Sequence, residues 1–116
     1  MYDWCLGSDD QWLYEAPADE RLYCHDLGSW LGGDWRVNDL MAQLNAPRLP
    51  GGDPAGLDQG AKMDFGLRLD AVARQNLAPI LSTVPIAWPA TDEQLERLGY
   101  FLEERAQLVA QRIRAL

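Results

Sequence analysis

The side chains best suited to chemistry lie together at Cys24, His25 and Asp26, where a thiol, an imidazole and a carboxylate are consecutive. These groups can act as nucleophile, base and orienting acid only when they face one another through hydrogen bonds. Neighbouring residues of a helix point about 100° apart, so the three cannot form this relay among themselves. A small enzyme or ligand-binding protein that uses Cys24 and His25 is therefore kept only as an alternative.

The spacing of the possible ligands also disfavours a metal or nucleotide site. Cys5 could join Cys24, His25 and an aspartate as four zinc ligands, but no C-x-x-C or H-x-x-x-H spacing occurs. None of the glycine pairs is followed by the Lys-Ser/Thr ending of a phosphate-binding loop. The sequence predicts no catalytic residue, no metal and no cofactor.

The acidic side chains are unevenly distributed along the chain. Residues 1–60 hold eleven acidic and three basic side chains, whereas residues 61–116 hold seven of each, so the net charge of −8 comes from the first part. The same part contains four of the five Trp residues. A surface that mixes acids and aromatic rings suits a basic or nucleic-acid-handling partner. It disfavours direct binding to nucleic acid or to an anionic membrane, because both would repel it.

Tryptophan is enriched at the centres of protein interfaces. Five Trp are many for a domain of 116 residues, because each buried indole N–H needs an acceptor. We therefore expect at least one exposed Trp beside acids, although the alternative that all five fill the core stays open. The predicted partner-binding residues are Asp3, Trp4, Asp9, Asp10, Trp12, Asp19, Glu20, Asp34 and Trp35.

The chain length and the apolar pattern predict one compact, mainly α-helical domain. We divide it into an acidic, aromatic-rich part (1–46), a flexible Pro/Gly loop (47–60) and a helical part (61–116). No amino-terminal signal and no apolar run long enough to span a membrane is apparent, so a cytoplasmic location is expected. The sequence leaves a monomer and a homodimer open.

Two interpretations compete for residues 11–25. Ser8 begins a capping box for a helix over 9–15, and Pro17 can occupy the first turn of a second helix that continues to Leu31. Alternating aromatic and polar residues instead favour a β-hairpin that pairs 11–15 with 21–25. We prefer the helices and keep a short hairpin as the alternative.

A third helix is predicted to begin at Asp34 as N-cap and to end near Pro47. Its predicted buried face consists of Val37, Leu40, Met41 and Leu44.

Residues 62–69 alternate between apolar and charged side chains, which is typical of a half-buried strand. A lone strand would lack a partner, so we prefer a helix over 61–78 that ends before Pro79. The stretch between Gln75 and Thr91 carries no charge and contains three prolines. We expect it to cross the core as a buried segment. The alternative is that Pro85–Pro89 is an apolar strip that docks a partner.

The last segment gives the strongest prediction, a long amphipathic helix. It begins with the capping box Thr91-Asp92-Glu93-Gln94. Arg105 and Arg112 interrupt its heptad pattern, so the helix should pack on the chain's own core rather than form a coiled coil. These arginines also suit the negative end of the helix dipole. Its apolar face is Leu95, Leu98, Phe101, Leu102, Leu108, Val109, Ile113 and Leu116.

These features predict a small acidic cytoplasmic protein that binds and blocks a basic or nucleic-acid-handling macromolecule, with carboxylates in the place of phosphates. In size and charge, though in no motif, the chain is similar to acidic inhibitors of phages and mobile elements, such as anti-CRISPR proteins, and to bacterial immunity proteins. An alternative is an acidic export chaperone that holds a disordered stretch of a secreted client. In that case the loop and the uncharged stretch would matter more than the acids.

Overall fold

The computed structural model describes residues 3–7, 12–14, 22–24, 31, 37–48 and 56–116. Its helices in chain order are α1 (Val37–Ala42), α2 (Gln59–Asp70), α3 (Arg74–Leu81) and α4 (Asp92–Ala115). Helix α4 contacts each of the other three helices. The described part of the chain is therefore mainly helical and is organised around the long C-terminal helix, as the sequence predicted.

Helix α4 begins as predicted. The hydroxyl of Thr91 accepts a hydrogen bond from the backbone N–H of Gln94 at 3.2 Å, and the Gln94 side chain accepts one from the backbone N–H of Thr91 at 2.8 Å. This reciprocal pair is a complete capping box. Because two N–H groups of the first turn gain acceptors, the start of α4 is fixed at this position.

The hydrophobic core lies along the inner face of α4. One cluster joins Leu98, Phe101 and Leu102 to Leu6 and Leu40 from earlier segments. The second cluster consists of Leu69, Ala106, Val109 and Ala110. Most of the predicted apolar face is thus confirmed, but Leu116 is exposed. Glycine at position 99 allows α3 to approach closely, since a Cβ there would lie 3.3 Å from Leu81 Cδ1.

Two leucines adopt a left-handed backbone conformation. Leu6 has φ of 53° and Leu31 has φ of 57°. The backbone N–H of Leu31 donates to the carbonyl oxygen of Cys5 at 2.9 Å, next to the first of these positions. This conformation costs a non-glycine residue roughly 1–2 kcal/mol. Burial of the Leu6 side chain in the first core cluster offsets that cost.

The prediction of one helix over 61–78 is wrong. Helix α2 ends at Asp70, and α3 begins at Arg74 after a short turn. A new helix can begin there because the Glu103 side chain, from α4, accepts the backbone N–H of Arg74 at 3.0 Å. Pro79 lies within α3, and the helix ends two residues later, at Leu81. The strand interpretation of 62–69 is also wrong, because these residues are helical.

The predicted third helix is present as α1, but α1 is shorter than predicted. It ends at Ala42 rather than near Pro47, because the following carbonyl groups accept hydrogen bonds from arginine side chains of α4. Leu40 is buried as predicted, whereas Met41 is exposed. The predicted N-cap, Asp34, lies outside the described residues.

The predicted loop 47–60 ends earlier than predicted, because its last two residues belong to α2. Asp58 caps α2 by accepting the backbone N–H of Ala61 at 2.8 Å, so the helix already begins at Gln59. Residues 49–55 of this loop lie outside the described residues.

In the first part of the chain, strand β1 (Trp12–Tyr14) pairs antiparallel with strand β2 (Leu22–Cys24). Leu13 lies opposite Tyr23 in this register. The preferred helices are therefore wrong at these two segments, where aromatic residues favour extended backbone. Residues 15–21, which would join the strands, lie outside the described residues, so the complete hairpin stays a prediction.

Candidate functional site

Asp3, one of the predicted partner-binding acids, lies in the interior of the molecule. Its Oδ1 accepts from Arg105 Nη2 at 2.9 Å and from the backbone N–H of Arg48 at 2.8 Å, and its Oδ2 accepts from Arg112 Nη1 at 2.9 Å. A carboxylate with these partners neutralises buried arginine and does not face a partner protein. The prediction that Asp3 binds a partner from the surface is therefore wrong.

Arg105 is the central residue of this cluster, and its side chain is 0% exposed. Its Nε donates to the Asp3 carbonyl oxygen at 2.8 Å, and Nη1 donates to the carbonyl oxygens of Gln43 and Leu44, both at 2.7 Å. Nη2 donates to Asp3 Oδ1 and, at 2.7 Å, to the carbonyl oxygen of Ala46. A guanidinium has five N–H donors, so every donor of Arg105 has an acceptor.

Burial lowers the pKa of Arg105, and the Asp3 carboxylate opposes this effect. The positive charges of Arg112 and Arg48 lower it further. An arginine remains charged at neutral pH even so, which explains why the interior supplies a carboxylate and four carbonyl oxygens to this one side chain.

Arg112 extends the same cluster towards the surface. Its Nη2 donates to the carbonyl oxygen of Asn45 at 3.0 Å, so the four carbonyl groups of residues 43–46 all accept hydrogen bonds from α4. The cluster joins residues 3–7, the end of α1 and the middle of α4. We assign it a structural role, because the guanidinium at its centre has no donor left for a ligand.

Trp4 is half-buried and makes contacts within the molecule. Its indole Nε1 donates to the carbonyl oxygen of Leu102 at 2.7 Å, and its ring packs against both core clusters. Trp4 is therefore less exposed than an interface anchor was expected to be, and its role in partner binding stays a prediction. The backbone of Trp12 lies in β1. The Trp12 side chain and the remaining predicted site residues lie outside the described residues and stay predictions: Asp9, Asp10, Asp19, Glu20, Asp34 and Trp35.

The uncharged stretch 76–90 is not the buried segment that we preferred. Ile80, Ile86 and Trp88 are exposed, with fully accessible Ile86 at 104% and Trp88 at 61% of their reference areas. Only Leu77 and Leu81 of the stretch pack against the first core cluster. We use the name apolar strip from here on for these three exposed residues. They are Ile86 and Trp88 of the predicted strip Pro85–Pro89, together with Ile80 of α3. The alternative in which Pro85–Pro89 docks a partner requires such exposure at Ile86 and Trp88, and it stays a prediction.

Short-range hydrogen bonds define the backbone between α3 and α4. The N–H of Thr83 donates to the carbonyl oxygen of Ile80 at 3.0 Å, and the N–H of Trp88 donates to that of Pro85 at 2.9 Å. The Thr83 hydroxyl also donates to the Ile80 carbonyl oxygen at 2.7 Å. Proline fixes its own φ, so Pro85 and Pro89 restrict the chain further. A partner that binds the strip therefore orders little additional backbone.

Acidic side chains follow the apolar strip directly. Asp92, Glu93 and Glu96 are exposed in the first turns of α4. Arg97 pairs with Glu93 at 2.7 Å and offsets one of these charges. The start of α4 therefore presents net negative charge next to Trp88 in the sequence. The sequence predicted an exposed Trp among the acids of the first part of the chain, so Trp88 lies outside the predicted region, and that prediction stays open.

A second polar cluster lies where α3 begins. Arg74 Nε donates to Glu103 Oε2 at 2.6 Å, and the Arg74 guanidinium lies 3.8 Å above the Tyr100 ring. The backbone N–H of Arg74 lowers the pKa of Glu103, burial opposes it, and the Arg74 guanidinium lowers it further. A groove of about 250 Å³ borders this cluster. These contacts cap α3 and attach it to α4, which is a structural role.

Within the described ranges, no group of three His, Cys, Asp or Glu side chains could hold a metal ion. None of the described helices is both long enough and apolar enough to cross a membrane. The Cys24 side chain and His25 lie outside the described residues, so the enzyme alternative stays untested.

Comparisons of the chain with protein-family models, with curated proteins and with solved structures found no match.

Proposed function

We propose that this chain is a small acidic binding protein that engages and blocks a basic or nucleic-acid-handling macromolecule. The observation that carries the proposal is the exposed apolar strip, which leads into the acidic first turns of α4. Isolated exposed apolar residues are normal on a protein surface, but Ile86 and Trp88 lie two residues apart in a stretch without charge.

The strip supplies the part of an interface that provides most of the affinity. Burial of apolar area contributes about 25 cal/mol per Å², and Trp is among the residues that dominate interface energies. The turns between Ile80 and Ala90 hold the strip before a partner arrives, so little conformational entropy is lost on binding. In this proposal Trp88 and Ile86 provide apolar anchors in addition to Trp12 and Trp35, which the sequence assigned to that role together with Trp4.

Charge favours a basic partner. The chain has a net charge of −8, and three of its exposed carboxylates, those of Asp92, Glu93 and Glu96, follow the strip in the sequence. Negative potential attracts a basic surface, and salt weakens the attraction because the Debye length shortens to about 3 Å at 1 M. Carboxylates at such a surface would occupy the positions of nucleic acid phosphates and so block the partner. The acids at positions 9, 10, 19, 20 and 34 remain proposed contributors.

The export chaperone is a second candidate, and the same strip is what favours it. A chaperone that holds a disordered client needs exposed apolar side chains more than it needs charge. Ile80, Ile86 and Trp88 provide such a surface without any charged residue between Gln75 and Thr91. This candidate differs from the first in predicting binding that salt weakens little.

Affinity capture from a lysate of the native source tests both candidates. Tagged wild type would be compared with the double variant I86A/W88A at low and high salt, with Leu57→Ala as a control at an exposed apolar residue outside the strip. We expect a partner that is lost in the double variant, retained in the control and released by salt. If capture depends on the strip but resists salt, the result supports the export chaperone and contradicts the inhibitor of a basic partner. Capture unaffected by I86A/W88A would contradict both.

A further inference from the structure

Helix α2 presents apolar side chains to solvent. Its buried residues are Lys62, Gly66 and Leu69, which lie on the side that contacts α4. Met63 and Leu67 are 49% and 61% exposed. An ordinary surface helix shows the reverse arrangement, with apolar residues inward and charges outward. The outer surface of α2 is therefore expected to have a partner.

Two of the exposed apolar side chains of α2, Met63 and Leu67, lie on one face, whereas Phe65, which is 40% exposed, lies on another. Residues four apart in a helix lie on the same face, so Met63 and Leu67 are neighbours one turn apart. Asp64 and Arg68 run beside them and form an exposed ion pair at 2.8 Å. We define the α2 face as these four residues, which place an apolar pair next to one acid and one base.

This pattern is complementary to itself. When two such helices pair antiparallel about a two-fold axis, Asp64 of each copy lies opposite Arg68 of the other, and the apolar pairs meet beside these charged pairs. The face carries no net charge, whereas the chain as a whole carries −8, so two copies repel least where these faces meet. We propose that the α2 face is the contact of a homodimer.

The dimer is expected to be weak. A helix of 12 residues is about 18 Å long, so one helix pair buries less than the roughly 1,000 Å² typical of a stable interface. Association should therefore depend on concentration. The proposal does not rest on the function proposed above, since it uses neither Ile86 nor Trp88.

Charge reversal and mixing give a sharp test by sedimentation equilibrium over a range of concentrations. D64R leaves two bases on the face, and R68D leaves two acids, so each variant alone should dimerise at least about tenfold more weakly than wild type. An equimolar mixture of the two variants should regain association, because the opposed faces then carry opposite charges. The double variant D64R/R68D should also dimerise. Circular dichroism would verify that each variant keeps its helix content.

Two further variants locate the contact. Leu67→Lys should abolish the dimer, and Ile80→Lys, at an equally exposed apolar residue of the apolar strip, should leave it intact. A wild type that stays monomeric at every concentration would overturn the proposal. So would a mixture of D64R and R68D that associates no better than either variant alone, or a dimer that is lost in Ile80→Lys but kept in Leu67→Lys.

Discussion

Arg105 and Asp3, which are 102 residues apart in the chain, are joined by two hydrogen bonds in the interior. Arg105 Nε donates to the Asp3 carbonyl oxygen at 2.8 Å, and Nη2 donates to its carboxylate at 2.9 Å. The same guanidinium binds three carbonyl oxygens after α1. One buried side chain therefore holds the beginning of the chain and the end of α1 against the C-terminal helix.

Asp3→Ala should destabilise the fold strongly. It leaves the buried Arg105 charge without its carboxylate and Arg112 without its closest acceptor, and removing one member of a buried ion pair costs about 3–5 kcal/mol. Urea unfolding followed by circular dichroism measures the loss. At a protein concentration low enough to keep the chain monomeric, Asp64→Ala, which removes an exposed ion pair with Arg68, should change the midpoint little. Equal midpoints for both variants would contradict a structural role for Asp3.

Arg105→Lys should not behave as a conservative substitution. Lysine has three donors on one nitrogen, so it cannot reach the five acceptors that surround the guanidinium. Buried carbonyl oxygens after α1 would lose partners, and each unsatisfied group costs about 1–3 kcal/mol. We expect a clear fall in melting temperature, with Arg97→Lys, at an exposed position of α4, as control. A melting temperature unchanged from wild type would show that the positive charge alone suffices.

Glu103 should make stability depend on pH. Its pKa is lower in the folded than in the unfolded chain because its carboxylate accepts the backbone N–H of Arg74. Its stabilising effect is therefore fully present above the ordinary glutamate pKa of about 4.3 and declines as pH falls through the lower folded value. Glu103→Gln should thus be less stable than wild type at neutral pH and approach it in acid.

Urea midpoints of wild type and Glu103→Gln, measured at a series of pH values, test this expectation. Glu104→Gln, at the exposed next residue of α4, serves as the matched control for the substitution itself. A stability difference between wild type and Glu103→Gln that grows as pH falls would contradict the assigned role.

Leu102→Ala should test the packing of α4 on the core. Leu102 is buried with Leu98 and Phe101, and truncation of a buried leucine costs roughly 2–5 kcal/mol of the 5–15 that a domain has. Melts at low protein concentration would show this as a lower midpoint, whereas Leu67→Ala, at an exposed leucine, should have little effect. If both variants had the same melting midpoint as wild type, the core assignment would be wrong.

Local signals predicted α4 well. Its capping box and the spacing of Leu98, Leu102 and Val109 are determined within the segment itself, so the sequence alone identified its start and its buried face. The turn between α2 and α3 was missed because Glu103, far away in the chain, supplies the cap. Pairing of β1 with β2 was only an alternative, since it depends on contacts between segments.

The site was predicted less well, because the burial of a charge depends on distant partners. Arg105 and Arg112 stand seven residues apart on the apolar face of α4, and that position is the signal that could have revealed a buried acid. Asp3 was instead assigned to a surface patch by composition. Similarly, the absence of charge between Gln75 and Thr91 suggested burial, whereas Ile86 and Trp88 are exposed.

Site-specific photo-crosslinking tests most directly whether the apolar strip contacts a macromolecular partner. A photoreactive amino acid would replace Ile86 in one sample and Leu57, an exposed apolar residue outside the strip, in another. Both proteins would be irradiated in lysate of the native source at low and at high salt. We predict a covalent adduct with one macromolecule from position 86, greatly reduced at high salt, and none from position 57. A partner that is captured but crosslinks equally from both positions, or only from position 57, would contradict the proposal that the strip is its binding site.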